Sequence, residues 1–374
     1  MRIVYILRSV VLHGGLEKVL IEKANWLADY GHHVLLLTYE QGTHSFSFPL
    51  SSKVLHEDLA CRYFTVYQKN LLERPFRKYL MRLKFRKKLK SVIDNVCPDL
   101  IVIPHNLHEY QDIIVSMNHR VPIVMERHST SMESMEKTSS LRDSCRKRYG
   151  LSCAKRCSMI VCLTDGDSRF WKRYCRHVVT VSNPLSYPVK MSERKRKPCR
   201  IICVSRLQVV KRIDRLIEAF GLIAHQYPEW YIDIYGEGPE KNNVLKLIER
   251  QDLSGRIHVH EPIEGILEEY QSSQMLVMSS DSESFGLVLV EAMACGIPVI
   301  ATDCPYGPRE IIDDGVTGLL TKLDARDLAD KMEWMMTHEA ERIQMGRNAY
   351  QAAARFEKNH VMAEWEKAYL SVLS

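Results

Sequence analysis

The stretch QMLVMSSDSESFGLVLVEAMACGIPVIAT (274–302) begins and ends with a short apolar run. A polar loop and a further apolar segment lie between the two runs. The runs QMLVMS (274–279) and PVIAT (298–302) have the length of buried strands. Between them lies ESFGLVLVE (283–291), whose apolar middle is expected to pack a turn and the start of a helix. Strand, helix and strand in this order form the unit of a parallel sheet. The stretch therefore predicts an α/β fold, and it leaves open why a glutamate stands at each end of a core-like segment.

The same alternation of strand-like and helix-period segments runs through most of the chain. One series of apolar runs begins at Ile3–Leu7 and a second at RIICVS (200–205). Further strands are expected at Val34–Leu37, DLIVIP (99–104), PIVM (122–125), MIVCLT (159–164), YIDIYG (231–236) and RIHVH (256–260). The basic, proline-bounded stretch YPVKMSERKRKP (187–198) has no periodicity and separates the two series. We therefore predict two Rossmann-like, doubly wound α/β domains facing a cleft, with ligands at the carboxyl ends of the strands.

Length and composition agree with two globular domains. The 374 residues exceed the usual size of one hydrophobic core, and 45% hydrophobic with 26% charged residues is ordinary for a globular protein. No apolar run reaches the ~18 residues of a membrane span, and no signal peptide is recognised. The 11 cysteines are scattered, and the closely spaced pairs Cys153/Cys157 and Cys199/Cys203 lack the other ligands of a zinc site. Reduced thiols in a cytoplasmic protein are therefore expected.

Positive charge is concentrated in the first half of the chain. Residues 1–185 hold 29 Lys and Arg against 17 Asp and Glu (+12), whereas the remainder holds 23 against 29 (−6). Arg74–Lys90 contains nine cations, no acidic residue and several apolar side chains. The cations expected to bind an anionic acceptor molecule or a membrane surface are Arg77, Lys78, Arg82, Lys84, Arg86 and Lys87. Such a basic amphipathic helix either lies on an anionic leaflet, binds a lipid-linked pyrophosphate, or is an ordinary solvated helix.

Two features of the first domain follow predicted strands. In HGGLE (13–17), Gly14 and Gly15 allow backbone N–H groups at a helix N-terminus to approach a phosphate, although a glycine turn also simply joins a strand to a helix. His128 follows the strand PIVM, at an end that is expected to face the cleft. Such a histidine either contacts a ligand or is structural. Two other histidines also follow strands, namely His105 and His108.

Two further motifs could bind phosphate or metal. SRLQVVKRID (205–214) places Arg206 and Lys211 before a helix, where two cations suit a diphosphate leaving group or are merely solvated surface charges. LTDGDSRF (163–170) contains a D-x-D pattern that either holds a metal or caps a helix with Thr164, Asp165 or Asp167. Because capping explains this pattern more simply, no metal is expected.

Taken together, these residues resemble the retaining glycosyltransferases of family 4, which have the two-domain GT-B fold. The most specific match is SDSESFGLVLVEAMACGIPVIATDCPYGPREIIDDGVTGLL (280–320), which resembles the donor-binding region with its paired glutamates. Weaker matches are GGLE, PIVMERHST, SNP, SRL with KRID, YGEGPE and the C-terminal YQAAARFEKNHVMAEWEKAYLSVL. DCPYGPREII is similar to the members that build bacterial capsule, lipopolysaccharide and glycoprotein glycans.

The resemblance implies a division of the chain and a reaction. It implies an acceptor-binding domain at 1–187, a linker at 188–198, a nucleotide-sugar-binding domain at 199–355 and a C-terminal helix at 356–374 that crosses back to the first domain. The expected reaction moves a hexose or N-acetylhexosamine from a nucleotide sugar, UDP-linked by family frequency, to a saccharide or polyprenyl-diphosphate-linked acceptor. The enzyme is expected to need no metal and to work at the inner face of the cytoplasmic membrane.

The resemblance also implies roles for particular residues. Glu291 matches the glutamate that accepts hydrogen bonds from the ribose, and Glu283 matches the one that holds donor-sugar hydroxyls. Arg206 and Lys211 match the cations that neutralise the departing diphosphate. Backbone groups in the loop after Glu283 are expected to contact the sugar and the diphosphate, and this loop contains Phe285, Gly286 and Leu287.

In the first domain, Gly15, beside Gly14, matches the glycine near the reaction centre, and His128 matches the histidine that contacts the donor sugar. The sequence departs from many relatives at Ser284, a small change that fits, and at Arg127, whose charge is expected either to lower the proton affinity of His128 or to contact the acceptor.

Other classes of function are compatible with parts of this pattern. A nucleotide-sugar epimerase of the same fold would need no acceptor, and a catalytically silent partner would bind a nucleotide sugar without transferring it. A basic nucleic-acid-binding protein is the third alternative, but no nucleic-acid-binding motif is found. The intact set of donor residues and the basic helix favour a transferase.

Overall fold

The structure is a computed structural model that describes residues 1–11, 14–68, 70, 72–105, 109–117, 121–128, 141–189 and 196–373. Two compact units divide the chain. The first contains Met1–Leu163, Asp167–Val181 and Met362–Ser374. The second contains Thr164–Gly166 and Ser182–Val361. Most of the predicted linker lies outside the described residues, so the boundaries at 187, 198 and 355 stay predictions.

The first unit is built on a parallel sheet that has seven strands in the described part of the chain. The strands are β1 (Arg2–Leu7), β2 (His33–Thr38), β3 (Leu55–Asp58), β4 (Leu100–Pro104), β5 (Ile123–Arg127), β6 (Met159–Cys162) and β7 (Val178–Thr180). Their spatial order is β3-β2-β1-β4-β5-β6-β7. The order reverses between β1 and β4, which is the switch point where ligands of such sheets bind, beyond the carboxyl ends of the strands. Gly14 and Gly15 follow β1 at that edge.

The helices of this unit are α1 (Gly15–Asp29), α2 (Arg74–Val96), α3 (Gln111–Ser116), α4 (Leu141–Ala154) and, from Asp167 onward, α5 (Asp165–Lys172), with a 3-10 helix at Tyr63–Gln68. In α1 the apolar side chains are buried from Val19 onward, including Leu20, Ala24 and Leu27. Lys23 is also fully buried on this helix. A charged side chain in the core requires a partner.

The second unit repeats the plan, with six parallel strands among its described residues. They are β8 (Arg200–Val204), β9 (Tyr231–Tyr235), β10 (Ile257–His260), β11 (Met275–Met278), β12 (Val299–Thr302) and β13 (Gly318–Thr321). The order is β10-β9-β8-β11-β12-β13, so the switch point lies between β8 and β11. The alternation of apolar runs predicted β8 to β12, whereas β13, together with β3 and β7 of the first unit, was not predicted. These three strands lie at or beside sheet edges and are short.

The helices of the second unit are α6 (Ile213–Ile223), α7 (Lys241–Arg250), α8 (Ile266–Gln271), α9 (Leu287–Ala294), α10 (Pro308–Ile311), α11 (Ala325–Thr337) and α12 (Glu339–Ala353), with 3-10 helices at Val209–Lys211 and Ala354–Phe356. The last helix, α13 (Lys358–Ser371), belongs to the first unit from Met362 onward. There, Glu366 accepts a 2.8 Å hydrogen bond from the ring of His32. The predicted return of the C-terminal helix to the N-terminal domain is thereby confirmed.

Candidate functional site

The loops that follow β8 and β11, the two strands at the switch point of the second unit, are bonded to each other. The hydroxyl of Ser279 donates to the carbonyl oxygens of Lys211 (3.1 Å) and Arg212 (2.8 Å). The backbone N–H of Asp281 donates to the carbonyl oxygen of Val210 at 2.9 Å. Because the loop after β11 donates hydrogen bonds to three carbonyl oxygens of the loop after β8, the two loops are held together as one structural unit.

Between these two loops, Lys211 and Glu283 form an ion pair. The ammonium group lies 2.6 Å from Oε1 of Glu283, and the hydroxyl of Ser280 donates to the same oxygen at 2.7 Å. The backbone of Glu283 is held as well, because its N–H donates to the carbonyl oxygen of Pro305 (3.2 Å) and its own carbonyl accepts from Tyr306 (3.0 Å). The side chains of Lys211 and Glu283 are only 17% and 11% exposed. Two residues predicted from separate motifs, 72 positions apart, are thus brought into contact.

Arg206, the second predicted cation, lies in the same loop but is solvent-exposed. Its carbonyl oxygen accepts from the hydroxyl of Ser205 (3.2 Å) and from the N–H of Gln208 (2.9 Å), so the backbone at Arg206 is ordered by local bonds. The structure therefore places Arg206 and Lys211 on one loop. Among the described residues, Lys211 has an acidic partner and Arg206 has none.

This loop is supported by a cluster of arginine and aspartate side chains that was not predicted from the sequence. Asp281 is bonded by Arg215 at 2.5 Å and by Arg212 at 3.2 Å, and Arg215 also donates to the carbonyl oxygen of Ser279 at 2.7 Å. The hydrogen bond from Arg212 to Asp214, followed by its bond to Asp281, raises the pKa of the Arg212 guanidinium. Arg212 stands in the left-handed region, with φ of 49°, just before α6. The only sequence signal was the density of charge in KRIDR.

The glycines of YGEGPE allow close packing against the loop that contains Arg206 and Lys211. A Cβ atom on Gly236 would lie 1.8 Å from the carbonyl oxygen of Ser205, and one on Gly238 would lie 2.3 Å from that of Leu207. The N–H of Leu207 donates to the carbonyl oxygen of Glu237 at 2.7 Å. YGEGPE is therefore the surface against which the loop with Arg206 and Lys211 is packed.

Gly286 and Phe285 shape the turn that enters helix α9. Gly286 has φ of 104°, a conformation that favours glycine, and Leu287 begins the helix directly after it. Phe285 is 3% exposed and packs edge to face on Phe356, with ring centroids 5.6 Å apart. The side chain of Phe285 is thus part of the core of the second unit.

Glu291 lies on α9, one helical turn after Leu287, and is 7% exposed. Its Oε2 accepts a 3.0 Å hydrogen bond from the hydroxyl of Tyr270, which is fully buried. Burial, followed by the charge of Glu291, raises the pKa of Tyr270 well above its ordinary value, so this hydroxyl remains a donor. The two glutamates of ESFGLVLVE consequently have separate partners, Lys211 and Ser280 for one and Tyr270 for the other.

In the first unit, Gly14 is the residue before α1, with φ of −111°, and its carbonyl oxygen accepts from the N–H of Lys18 at 3.1 Å. A Cβ atom on Gly14 would meet the carboxylate of Glu17, at 2.3 Å, which is the movable end of a side chain. Gly15 is the first residue of the helix. Phosphate binding at this turn stays a prediction. His13 and His108 lie outside the described residues.

His128 is part of a buried polar network that was also not predicted from the sequence. Its Nε2 lies 2.9 Å from Oε2 of Glu126, and the two side chains are 4% and 0% exposed. The other oxygen of Glu126 lies 2.7 Å from Nζ of Lys23 and accepts a hydrogen bond from the hydroxyl of Tyr369. The hydroxyl of Tyr369 in turn lies 2.9 Å from that of Tyr5. Glu126 thus connects β5 with α1, with α13 and, through Tyr369, with β1.

Burial and charge pairing determine protonation in this network. Burial lowers the pKa of Lys23 to about 8, against the attraction of Glu126. Burial alone would raise the pKa of Glu126, but Lys23 and His128 outweigh it and lower the pKa to about 2. For His128, burial lowers the pKa although Glu126 opposes the effect. Near neutral pH the network therefore contains a carboxylate, an ammonium group and a neutral imidazole.

The expectation that Arg127 contacts the acceptor is not supported. Its side chain is 3% exposed, lies over the ring of Trp171 at 4.5 Å and is 3.7 Å from a carboxylate oxygen of Asp167. The charge of Arg127 does lower the pKa of His128, but less than burial does. Successive residues of a strand point to opposite faces, so Arg127 points away from the face that Glu126 and His128 share.

Asp167 of the D-x-D pattern is therefore paired with Arg127, and burial raises its pKa. Among the residues that the structure describes, no group of three or more His, Cys, Asp and Glu side chains is arranged to hold a metal ion. The prediction that the reaction needs no metal stays a prediction.

The basic segment forms helix α2, in which Phe85 and Leu89 are buried in the first unit. Four apolar side chains on another face are 42–64% exposed and are spaced three and four residues apart, namely Phe76, Tyr79, Leu80 and Leu83. Arg86 and Lys87 are exposed, whereas Arg82 is half-buried and paired with Asp112. The remaining predicted cations make looser contacts, Arg77 with Glu73, Lys78 with the ring of Tyr67 and Lys84 with the carbonyl oxygen of Ala60. In the described residues no helix combines the length and the apolar character needed to cross a membrane.

Comparison with protein families gives two adjoining matches. The model for Glycosyltransferase Family 4 matches residues 13–187, and the model for Glycosyl transferases group 1 matches residues 190–352. The first model covers β2 to β7, and the second covers β8 to β13.

Three curated relatives differ in how much of them the chain covers. An uncharacterised glycosyltransferase of Haemophilus influenzae is 21% identical over 98% of this chain and 99% of its own length. An exopolysaccharide phosphotransferase of Streptomyces coelicolor is 32% identical over 46% of this chain, but the match spans only 19% of that protein. The GtfA subunit of the UDP-N-acetylglucosamine–peptide N-acetylglucosaminyltransferase of Streptococcus gordonii is 27% identical over 58% of this chain and 46% of its own length.

Solved structures with the same fold match nearly the entire chain. A mutant of S. aureus TarM in complex with Fondaparinux, alpha-GlcNAc-glycerol and UDP has a TM-score of 0.80, with 14% identity over 99% of this chain and 100% of the other. Anabaena HepE in complex with UDP-glucose has a TM-score of 0.75, with 19% identity over 99% and 100% of the two chains. At these identities the likeness establishes the fold, and it confirms the predicted two-domain GT-B architecture.

Proposed function

The chain belongs to glycosyltransferase family 4, and from this premise we propose that it is a retaining hexosyltransferase. The proposed donor is a UDP-linked hexose or N-acetylhexosamine, and the proposed acceptor is a saccharide or lipid-linked oligosaccharide of a surface polysaccharide or glycan. The choice of UDP is supported by the streptococcal relative, named for UDP-N-acetylglucosamine, and by the neighbours solved with UDP or UDP-glucose.

One observation carries the proposal, namely the contact between Lys211 and Glu283 at the switch point of the second sheet. A glycosyl donor presents a diphosphate and a ring of hydroxyls side by side. A fixed ammonium group suits the first and a fixed carboxylate suits the second. We assign Lys211, with Arg206 on the same loop, to the diphosphate and Glu283 to the sugar hydroxyls.

The remaining donor contacts follow from the same assignment. Glu291 would accept hydrogen bonds from the ribose, and Tyr270 would orient its carboxylate. The turn at Phe285, Gly286 and Leu287 would offer backbone N–H groups to the sugar and the diphosphate. In the first unit, Gly14 and Gly15 are assigned to the diphosphate and His128 to the donor sugar.

The proposed reaction is a front-face substitution. The acceptor hydroxyl oxygen forms a bond to the anomeric carbon while the bond from that carbon to the diphosphate oxygen breaks. The electron pair of the breaking bond goes to the leaving UDP, and a phosphate oxygen takes the proton of the acceptor hydroxyl. Lys211 and Arg206 stabilise the charge that develops on the diphosphate, the kind of electrostatic contribution that is often the largest in catalysis.

The test separates the two members of the pair. Lys211→Ala and Glu283→Ala are each expected to lose at least about 100-fold in kcat, the scale of removing one preorganised transition-state contact. Affinity for UDP alone should change in opposite directions. It should fall in Lys211→Ala, which loses a phosphate partner, and should be kept or rise in Glu283→Ala, where Lys211 is no longer held by a carboxylate.

Thermal melts establish that both variants remain folded, and calorimetric titration measures UDP affinity. Lys53→Ala and Asp29→Ala are matched controls, because these residues form an exposed lysine–carboxylate pair at 2.7 Å near the amino ends of the first sheet. Full transfer by either site variant would exclude the assignment. Release of a modified sugar nucleotide without any acceptor would show the epimerase alternative instead.

We assign the approach to the acceptor to helix α2, which we propose lies on the anionic inner leaflet of the cytoplasmic membrane. The exposed apolar stripe from Phe76 to Leu83, with Arg86 and Lys87 exposed on the same helix, supports this assignment. Each cation near an anionic surface contributes about 1 kcal/mol, so Arg86→Glu with Lys87→Glu should weaken vesicle binding by at least about 30-fold. Lys53→Glu with Lys322→Glu changes the net charge equally and serves as the control.

Flotation with phosphatidylglycerol vesicles at low salt measures the binding, with phosphatidylcholine vesicles and high salt as comparisons. Absence of flotation at low salt by the unmodified chain, or equal flotation of both double variants, would contradict the membrane assignment.

A further inference from the structure

The carboxylate of Glu126 is divided between two groups of partners. Its Oε1 is bonded by Lys23, at 2.7 Å, and by the hydroxyl of Tyr369. Its Oε2 lies 2.9 Å from Nε2 of His128. The first oxygen is thus held by a helix near the start of the chain and by the last helix of the chain, while the second is directed to the imidazole.

The strand geometry explains why this carboxylate reaches His128. Residues two apart on an extended segment point to the same face, so Glu126 and His128 share a face and Arg127 points to the other. Contacts on both sides agree with this, because Lys23, Tyr5 and Tyr369 surround Glu126 whereas Trp171 and Asp167 surround Arg127.

The chemistry of the contact fixes the position of a proton. A carboxylate can only accept a hydrogen bond, so Nε2 of His128 must carry the proton. Burial, with the positive charges of Lys23 and Arg127, holds the pKa of the imidazole below its ordinary value against the attraction of Glu126. In the neutral ring the other nitrogen, Nδ1, then has a lone pair and accepts a hydrogen bond.

We propose that Glu126 is a positioning residue that fixes His128 in the Nε2–H tautomer, so that Nδ1 accepts a hydrogen bond from a donor-sugar hydroxyl. The inference rests on the proposed function, because that function assigns His128 to the donor sugar. Lys23 and Tyr369 contribute by holding Oε1, which prevents the carboxylate from turning away. Helix α13 therefore acts on His128 through the hydroxyl of Tyr369.

The tautomer is read directly from the nitrogen chemical shifts of histidine in protein labelled with ¹⁵N-histidine, and the signals of His128 are identified by their loss in His128→Ala. In the unmodified chain, Nε2 is expected to be the protonated nitrogen. In Glu126→Gln the side-chain amide can donate to Nε2, so a population protonated at Nδ1 is expected. Lys23→Met with Glu126→Gln repeats the test without leaving a buried lysine unpaired.

The kinetic test follows the same variants. Glu126→Gln is expected to lower kcat by up to about 10⁴-fold, the loss reached when a catalytic histidine is held in the wrong tautomer. Affinity for UDP, which has no donor sugar, should be unchanged. In the His128→Ala background, Glu126→Gln should have no further effect on kcat. Tyr369→Phe, which keeps the ring, should show a smaller loss in the same direction.

Three results would overturn the inference: an Nδ1–H tautomer in the unmodified chain, an unchanged tautomer in Glu126→Gln, or an undiminished effect of Glu126→Gln in the His128→Ala background. If the unmodified chain transferred no sugar from any UDP-sugar, the proposed function would fail, and the nitrogen shifts would still decide whether Glu126 sets the tautomer.

Discussion

Replacing Gly236, which is not itself assigned to the donor, with alanine should damage the candidate site. The new methyl group would lie 1.8 Å from the carbonyl oxygen of Ser205 and 3.0 Å from its carbonyl carbon. Both are backbone atoms, so no side-chain rotation can relieve the contact. Ser205 begins the loop that carries Arg206 and Lys211, and that loop must therefore move.

The size of the movement follows from the distance. Real Cβ atoms essentially never approach within 3.0 Å of a non-bonded heavy atom, so the 1.8 Å contact must lengthen by at least 1.2 Å. Such a shift strains the bonds from Ser205 N–H to the carbonyl oxygen of Tyr235 (3.0 Å) and from Leu207 N–H to that of Glu237 (2.7 Å). Overpacking of this kind costs about 1–3 kcal/mol of stability, and a misplacement of about 1 Å costs about 100-fold in catalysis.

Urea unfolding and steady-state transfer from the UDP-sugar, at a temperature where the protein stays folded, measure the two effects. Gly255→Ala is the matched control, because a Cβ atom there has nothing within 4 Å. If Gly236→Ala lost stability but kept kcat/KM within threefold of the control, the structural effect would be present and the role of the loop in catalysis would be refuted. Unchanged stability would refute the packing argument itself.

Two further changes test the partners of buried carboxylates. Tyr270→Phe removes the hydroxyl bonded to Glu291. Since a hydrogen bond contributes about 1 kcal/mol net, UDP affinity measured by calorimetry should fall about fivefold, while kcat at saturating donor is kept. Equal UDP affinity of the variant and the unmodified chain would contradict the role of Tyr270. In the folded chain the pKa of Glu126 is lowered from 4.5 to about 2. As the pH falls, the unfolded chain therefore takes up this proton before the folded chain does. The stabilisation from the carboxylate is accordingly present above pH 4.5 and is lost as the pH falls toward 2. The stability advantage of the unmodified chain over Glu126→Gln in urea unfolding should accordingly shrink over that range, and a constant advantage would argue against a charged Glu126.

The fold could be predicted because its signal is local. Runs such as Ile3–Leu7 and Met275–Met278 are apolar, short and bounded by polar turns, and each became a central strand. Edge strands carry a weaker signal, since β3 is the polar segment LHED and none of its residues is buried. Such a segment is extended because it pairs with the neighbouring strand, β2, and not because its own sequence favours a strand.

The candidate site was predictable only where a motif carried it. Lys211 and Glu283 were found through separate motifs, but the 2.6 Å contact between them depends on the folding of two loops. The Glu126 network had no comparable motif, because Lys23 and Glu126 are 103 positions apart and each is a single charge in an apolar context. The available signal was the presence of a lysine within the apolar stripe of α1, which an amphipathic pattern does not explain.

The burial of ionisable groups in ESFGLVLVE can now be explained by their partners. Phe285, Leu289 and Val290 are buried, so much of the segment between the glutamates is core. Burying a carboxylate is unfavourable unless it is paired, and each glutamate has a partner that does not depend on a ligand, Lys211 for Glu283 and Tyr270 for Glu291. A donor that bound here would exchange one set of polar partners for another, with phosphate replacing the carboxylate at Lys211 and hydroxyls replacing the ammonium group at Glu283. The pairing that offsets the cost of burying these charges would therefore also keep them oriented for the donor. This preorganisation reduces the side-chain entropy that is lost on binding.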